Sequence, residues 1–494
     1  MPRPFAPLGL VPPLVLAACS LQPEYKQPPL PTAPTFAADL MPETNGPRAV
    51  DIGWQEFFTD PRLQRLIALA LENNRDLRQA VLRIDEARAQ YRIQRADQLP
   101  NLTLDGSAAR SRSGSGGVGV VTDGIEDGSD ATFSRYQIGV NIPAFELDFW
   151  GRVRSLTEAA RATYLATIEA QRSFRLSLIA DVATAYLADR EFAERIRLAE
   201  QTVRSRVEAL EISRLRLEAG VTSALDYRQT ETLLTQAQTE LALIERQRAQ
   251  NRNTMQVLIG GPVPTDLPPP MPLEQQGIIA DISAGLPSDL LVNRPDILEA
   301  EEQLRAANAN IGAARAAFFP RISLTAFFGF ASTELEELFG DEGNTWSFGP
   351  SLALPLFDAG RNEANLDLAV ARRNIAVANY ELTIQVAFRE VADALAARRW
   401  LAEQFASQQR GLLAERDRAE LAELRYRNGV ADYIEVLDAQ RQLFAAEQQL
   451  VQIRQAQLAN AVSLYVALGG GLRATSTAPA AAPPPSAPGP SAPR

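Results

Sequence analysis

The chain has 494 residues, 46% of them hydrophobic, which is material for two or three domains. It contains no histidine and one cysteine, Cys19, which excludes Ser-His-Asp and Cys-His catalysis, His/Cys zinc sites and any intrachain disulfide. A net charge of −11 with no polybasic block argues against nucleic acid as a partner.

Residues 1–18 place Arg3 ahead of an apolar run, Leu8–Leu16, and close on small residues, the order of a secretory signal, although Pro12 and Pro13 interrupt the run. The run ends Leu16-Ala17-Ala18-Cys19, which resembles the bacterial lipobox and makes Cys19 the acylated first residue of the mature chain. Acyl chains contribute roughly 0.8 kcal/mol per buried methylene, so several together hold a protein on a bilayer. Ser20, in place of aspartate, fits outer-membrane sorting. No later stretch reaches about 18 uncharged apolar residues, so any crossing has to use a β-barrel or the lipid. Residues 19–50, with Pro23, Pro28, Pro29, Pro31 and Pro34, read as an acylated extended tether. Residues 471–494 read as a disordered Ala/Pro/Ser tail.

The remainder repeats itself once, as units 51–261 and 284–470 around a proline-rich linker, 262–283. Leu99-Pro100-Asn101-Leu102-Thr103-Leu104 matches Phe319-Pro320-Arg321-Ile322-Ser323-Leu324 at an offset of 220 (320 − 100). Gly151-Arg152 matches Gly360-Arg361, and Gly220-Val221 matches Gly429-Val430, both at 209 (360 − 151; 429 − 220). Leu258-Ile259-Gly260-Gly261 and Ala467-Leu468-Gly469-Gly470 end the two units alike. Each unit reads helix, strand, loop, strand, long helix, turn, helix.

Strands are predicted at about 101–110, 135–143, 321–330 and 345–355, because apolar residues alternate there with polar ones. Examples are Tyr136, Ile138, Val140 and Ile142 against Gln137, Gly139 and Asn141. Strands of about ten residues have the length of a tilted barrel strand, and Tyr136 and Trp346 suit an interfacial girdle. The loops Arg110 to Ser134 and Ala331 to Asn344 would then face outward. Four strands cannot close a barrel, and open edges in hydrocarbon leave backbone groups unsatisfied, so several copies have to share one.

Between Arg361 and Arg427 there is no proline and only one glycine, Gly411, which predicts one helix of about 100 Å at 1.5 Å per residue. Leu437, Phe444, Val451, Leu458 and Tyr465 recur every seven residues, and Leu234, Ala237, Leu241 and Ile244 at three and four, so both units offer coiled-coil seams. These stripes read as wall-building core.

Glu146-Leu147-Asp148-Phe149-Trp150-Gly151-Arg152, Asn293-Arg294-Pro295-Asp296-Ile297, Leu354-Pro355-Leu356-Phe357-Asp358-Ala359-Gly360-Arg361 and Leu437-Asp438-Ala439-Gln440-Arg441 are the more specific local matches. Together with the lipobox, hairpins and long helices, they resemble the TolC-like outer-membrane factors of the OprM/NodT type over roughly residues 19–470. The resemblance implies a mixed α and β membrane protein built from two internal repeats. Three protomers would give four strands each to a 12-stranded barrel, continued through the periplasm by a helical coiled-coil barrel. It further implies a homotrimer in the outer membrane, working with a periplasmic adaptor and an inner-membrane pump of the RND type. No cofactor is expected beyond a covalent lipid on Cys19. In such channels ionic contacts near the helix turns narrow the periplasmic aperture. The matching positions are Tyr426, Arg427, Asp438 and Arg441, with Asp226 from the first unit. At about 4 Å a charge pair is worth roughly 1 kcal/mol in water and about 4 at an effective dielectric of 20, enough to hold a mouth and still be broken. Three copies of a pore-facing aspartate would favour cations.

The expected function is therefore a passive exit duct for drugs or other small toxic compounds. The alternatives are the exit duct of a protein secretion system and a non-conducting periplasmic coiled-coil lipoprotein. An enzyme is not expected: carboxylates alternate with arginine as on solvated helix faces, and there is no glycine-rich phosphate loop.

Overall fold

A computed structural model describes residues 21–33, 46–113, 131–278, 282–283 and 287–472. Cys19, the signal segment, the tip of the first strand loop and the Ala/Pro/Ser tail from residue 473 lie outside the described residues.

In the first repeat a helical turn α1 (Trp54–Phe57) precedes α2 (Pro61–Asn73), α3 (Arg75–Ala96), β1 (Thr103–Ser113), β2 (Ala131–Glu146), α4 (Arg152–Glu218) and α5 (Ala224–Leu258). In the second, α6 (Pro287–Asn293) is followed by α7 (Pro295–Ala316), β3 (Arg321–Ser332), β4 (Asn344–Ala353), α8 (Arg361–Arg427) and α9 (Tyr433–Ala467). Helix lengths agree pair by pair: 22 residues for α3 and α7, 67 for α4 and α8, 35 for α5 and α9. Gly151 and Gly360, Gly220 and Gly429, and Gly260 and Gly469 all adopt positive φ. At Gly260 and Gly469 a Cβ would also meet the backbone of Asn73 and Asn293, respectively. No helix among the described residues is long and apolar enough to cross a membrane.

The chain divides into two compact units. One is drawn from Met1–Pro28, Ile84–Thr167 and Ala300–Tyr380; the other from Pro29–Arg83, Ile168–Glu299 and Glu381–Arg494. The first holds an antiparallel sheet of order β1-β2-β3-β4. Its register places Leu104, Val140, Phe328 and Trp346 in one cross-strand row, with Ile142, Ala326 and Phe348 on the same face. Most of these side chains are exposed, Trp346 by 72% and Leu104 by 73%, while Ile142 and Ala326 are half-buried. The opposite face carries Asp105, Asn141, Ser323 and Ser351, with Thr103 donating to Asp105 (2.7 Å) and the two serines hydrogen-bonded at 2.7 Å. A register shift between Ile142 and Phe145 brackets Pro143, which has no N–H to give the ladder.

The described part of the N-terminal segment, residues 21–33, is extended, but it is strapped down. Arg315 donates to the Leu21 carbonyl (3.3 Å), Asn308 to that of Pro23 (2.8 Å), Tyr25 to Glu301 (3.1 Å) and Gln27 to Tyr380 (2.9 Å). Gly312 of α7 permits the approach, since a Cβ there would stand 2.9 Å from the Gln22 Cα.

In the second unit Phe57 stacks on Tyr465 (3.9 Å), whose hydroxyl donates to the Ile52 carbonyl (2.7 Å). Buried Asp60 caps α2 through the Arg62 and Leu63 N–H groups and accepts from Tyr186 (2.6 Å) and Gln276 (3.2 Å). Asn251 donates to Ala185 in the first repeat as Asn460 does to Ala394 in the second, at 2.8 and 2.9 Å.

Asp189 of α4 is gripped by Arg190, Arg248 (3.0 Å) and Arg252 (3.2 Å). Burial opposes its ionisation, but the Arg248 hydrogen bond and the Arg190 charge outweigh it and hold the carboxyl at about 2, against 3.8 ordinarily. A depressed folded value means that the stabilisation, about 2 kcal/mol, is present above pH 4 and is lost as pH falls toward 2. Between pH 5 and pH 2.5 the melting temperature of the native protein is expected to fall more steeply than that of Asp189→Asn. Parallel curves would show that this cluster contributes nothing to acid sensitivity.

Candidate functional site at the helix turns

Both long hairpins reverse in the same way. After α4, Gly220 (φ 68°) lets the Val221 N–H reach the Arg216 carbonyl (3.0 Å); after α8, Gly429 (φ 70°) lets Val430 reach Arg425 (2.9 Å). The helices that follow start differently. Ser223 and Asp226 form a capping box at the start of α5, whereas Asp432 makes no side-chain cap for α9.

That capping box absorbs Asp226. Its carboxylate accepts from the hydroxyls of Ser223 (2.8 Å) and Thr222 (2.9 Å) and from the Ser223 N–H (3.2 Å), and these bonds hold its pKa below the ordinary range. Asp438 and Arg441 are brought together: Arg441 Nη2 donates to Asp438 Oδ1 at 2.6 Å. The other oxygen, Oδ2, accepts from Arg418 Nη2 of α8 at 2.6 Å, so Asp438 ties the two helices of the hairpin. Arg427 is spent within its own helix, on Glu423, and joins none of the other expected positions. Its neighbour Arg425 reaches across the turn instead, to Glu435 at 3.1 Å.

Tyr426 links three helices. Its ring lies 4.9 Å from that of Tyr433, the Arg216 guanidinium stands 5.4 Å over its centroid, and Arg216 also donates to its hydroxyl. Beneath the two tyrosines a small buried cluster, Ala419, Ala422, Val436 and Ala439, lets α8 and α9 approach closely. The ionic links are exposed, with Arg418 46%, Asp438 37% and Arg441 58% accessible, so water and salt weaken them. The arrangement is a buried alanine seam carrying weak, separable charge ties, able to hold a hairpin in one position without locking it. Sequence reasoning missed Arg418, Arg216 and Arg425. Counting outward by similar distances on both sides of Gly429 would have paired residue 418 with 438.

The family model described as "Outer membrane efflux protein" matches residues 66–261 and 286–470. The solvent efflux pump outer membrane protein SrpC of Pseudomonas putida is 46% identical over 468 residues, covering 93% of this chain and 96% of the relative. The outer membrane protein OprJ of Pseudomonas aeruginosa is 43% identical, covering 93% and 94%. Among solved structures, the open state of the Neisseria gonorrhoeae MtrE outer membrane channel is 40% identical with a TM-score of 0.83, covering 92% and 99%. A membrane protein from Pseudomonas aeruginosa is 42% identical with a TM-score of 0.84, covering 92% and 98%. The chain belongs to the outer membrane efflux protein family, as an outer-membrane efflux channel component of TolC-like fold.

Proposed function

We propose that three copies close one 12-stranded barrel and form a passive duct whose periplasmic aperture is controlled at the α8–α9 turns. The observation that carries this reading is the sheet: four strands, one face whose middle rows are apolar and largely exposed, and two edges, β1 and β4, that no strand among the described residues pairs. In hydrocarbon such edges are tolerated only when a neighbouring copy pairs them. At the helix turns Leu421, Leu424, Val430 and Ile434 remain exposed, a surface suited to further chains, among them an adaptor that carries the pump's action to the aperture. Relatives named for solvent, toluene and antibiotic efflux pumps favour small toxic compounds as cargo over secreted proteins; an inner-membrane pump of the RND type is part of the same proposal. The chain's own residues supply no energy and no cofactor chemistry; the duct only opens and closes. Purified protein in planar bilayers is expected to give small, cation-favouring conductance steps. Well-folded oligomers that never conduct would favour the non-conducting coiled-coil lipoprotein.

Acylation of Cys19 belongs to the same proposal. The strap begins two residues after Cys19 and is tied along α7, the helix that leads into β3, so the lipid would be delivered near the sheet. Cells labelled with a palmitate analogue should yield a labelled native chain and an unlabelled Cys19→Ser chain. Equal labelling would remove the lipid from this position.

A further inference from the structure

Arg206 of α4 is 5% exposed, yet no carboxylate among the described residues pairs with it, and its Nη1 is sealed from solvent without a hydrogen-bond acceptor there. A buried guanidinium without a partner is costly, and native interiors seldom keep one unless something else completes it. Arg206 lines a cleft of about 380 Å³ between α4, α5 and α9, together with Arg195, Thr202, Arg441, Phe444 and Gln448.

The charges around this cleft balance as a sum but not residue by residue. Arg195 is neutralised by Glu191 (2.9 Å) and Glu240 (3.0 Å) and is oriented by Gln448 (2.6 Å). Arg441 is held by Asp438 (2.6 Å). Arg206 alone has no carboxylate of its own, on a wall that also carries the aromatic ring of Phe444 and the amide of Gln448. Burial depresses its pKa, with only the Tyr433 hydroxyl working the other way, so the protein itself does not stabilise the cation.

The internal repeat shows that this is no relic of the duplicated hairpin. At the offset of 209 that relates the two halves, Arg206, Arg195 and Arg441 correspond to Glu415 (206 + 209), Gln404 (195 + 209) and Thr232 (441 − 209). All three arginines lack a basic counterpart. Glu415 is satisfied in its own half by Arg418 at 3.3 Å. The cleft with its unpaired arginine therefore exists in one arrangement only, α4 and α5 against α9.

We propose that this cleft is a binding site for a single organic carboxylate, with Arg206 as its charge partner and Phe444 as its apolar wall. One carboxylate supplies the acceptor that Arg206 lacks, and a neutral molecule would leave its charge unpaired. The volume rules out a site shaped only for a bare halide ion, since space would remain for the body of an aromatic acid.

The test uses full-length native protein in detergent with 4-fluorobenzoate as probe and 4-fluorobenzyl alcohol as its neutral counterpart, read by fluorine NMR line broadening and by melting temperature. Broadening and a raised melting temperature are expected with the acid and not with the alcohol. Arg206→Met should weaken acid binding about tenfold or more, the loss of a charged hydrogen bond. Thr202→Glu places a carboxylate one helical turn before Arg206 on the same cleft wall, which should block the probe and raise the melting temperature with no ligand added. It also keeps the proposal open to refutation should Arg206→Met fail to fold. Equal broadening by acid and alcohol, undiminished acid binding to either variant, or no binding at all would overturn the assignment. None of these outcomes bears on conductance, so the duct reading stands or falls separately.

Discussion

Replacing Asp438 by alanine is expected to raise single-channel conductance several-fold, more than any other single change at the helix turns. Asp438 is the shared acceptor of two arginines, one on each helix of the hairpin, so its loss releases both ties at once. Arg441→Ala leaves the inter-helix bond from Arg418 in place and should open the channel less. Arg418→Ala removes that bond itself and should come close to Asp438→Ala. Asp226→Ala is the control: it removes half of a capping box, lowers the stability of the α5 start by about 1 kcal/mol and should leave conductance unchanged. Because the three charged groups are exposed, raising salt toward 1 M, where the Debye length is about 3 Å, should bring the conductivity-corrected wild-type conductance toward that of the variants. Planar-bilayer recordings at low and high salt decide the matter. Unchanged conductance in all three charge variants would place the constriction away from this hairpin.

Why Asp438 was visible in the sequence and Arg418 was not follows from the helices. The long elements were legible because proline-free stretches and a seven-residue apolar period force a coiled-coil helix, and Leu437 and Tyr465 are indeed buried. The strand faces were legible because period-two alternation fixes the side on which Val140, Phe328 and Trp346 must sit, whatever the register. A charge on a long helix carries no such pattern. Arg418 looks like any solvated arginine until the turn at Gly429 brings it beside Asp438. Arg206 looks the same in sequence and lies buried instead. The strap was hidden for a related reason. Proline in residues 21–33 signals extended backbone, but the groups that hold it, Asn308 and Arg315, lie 285 and 294 positions along the chain.

The duplicated architecture offers its own test at Arg294. In the first repeat Asn74 does two things: its amide donates to the C-terminal carbonyl Leu258 of α5 (2.9 Å), and its oxygen caps α3 through the Leu77 N–H (2.8 Å). In the second repeat the tasks are divided. Arg294, 8% exposed, donates to the matching carbonyl, Ala467 of α9 (3.0 Å), while Asp296 accepts the Ile297 N–H (3.0 Å). Arg294 then pairs with Asp296 (2.6 Å) and with Glu390 (2.8 Å). Arg294→Ala strands one carbonyl and two carboxylates and should cost about 3 kcal/mol. Arg294→Asn restores the donor that the first repeat uses, while leaving the carboxylates to water, and should recover about half of that loss. Thermal melting of the two variants beside the native chain separates the contributions. If asparagine is no better than alanine, the ion pairs carry the junction and the carbonyl bond is incidental. If asparagine matches arginine, the second repeat has kept its charges for something other than holding α7 against the end of α9.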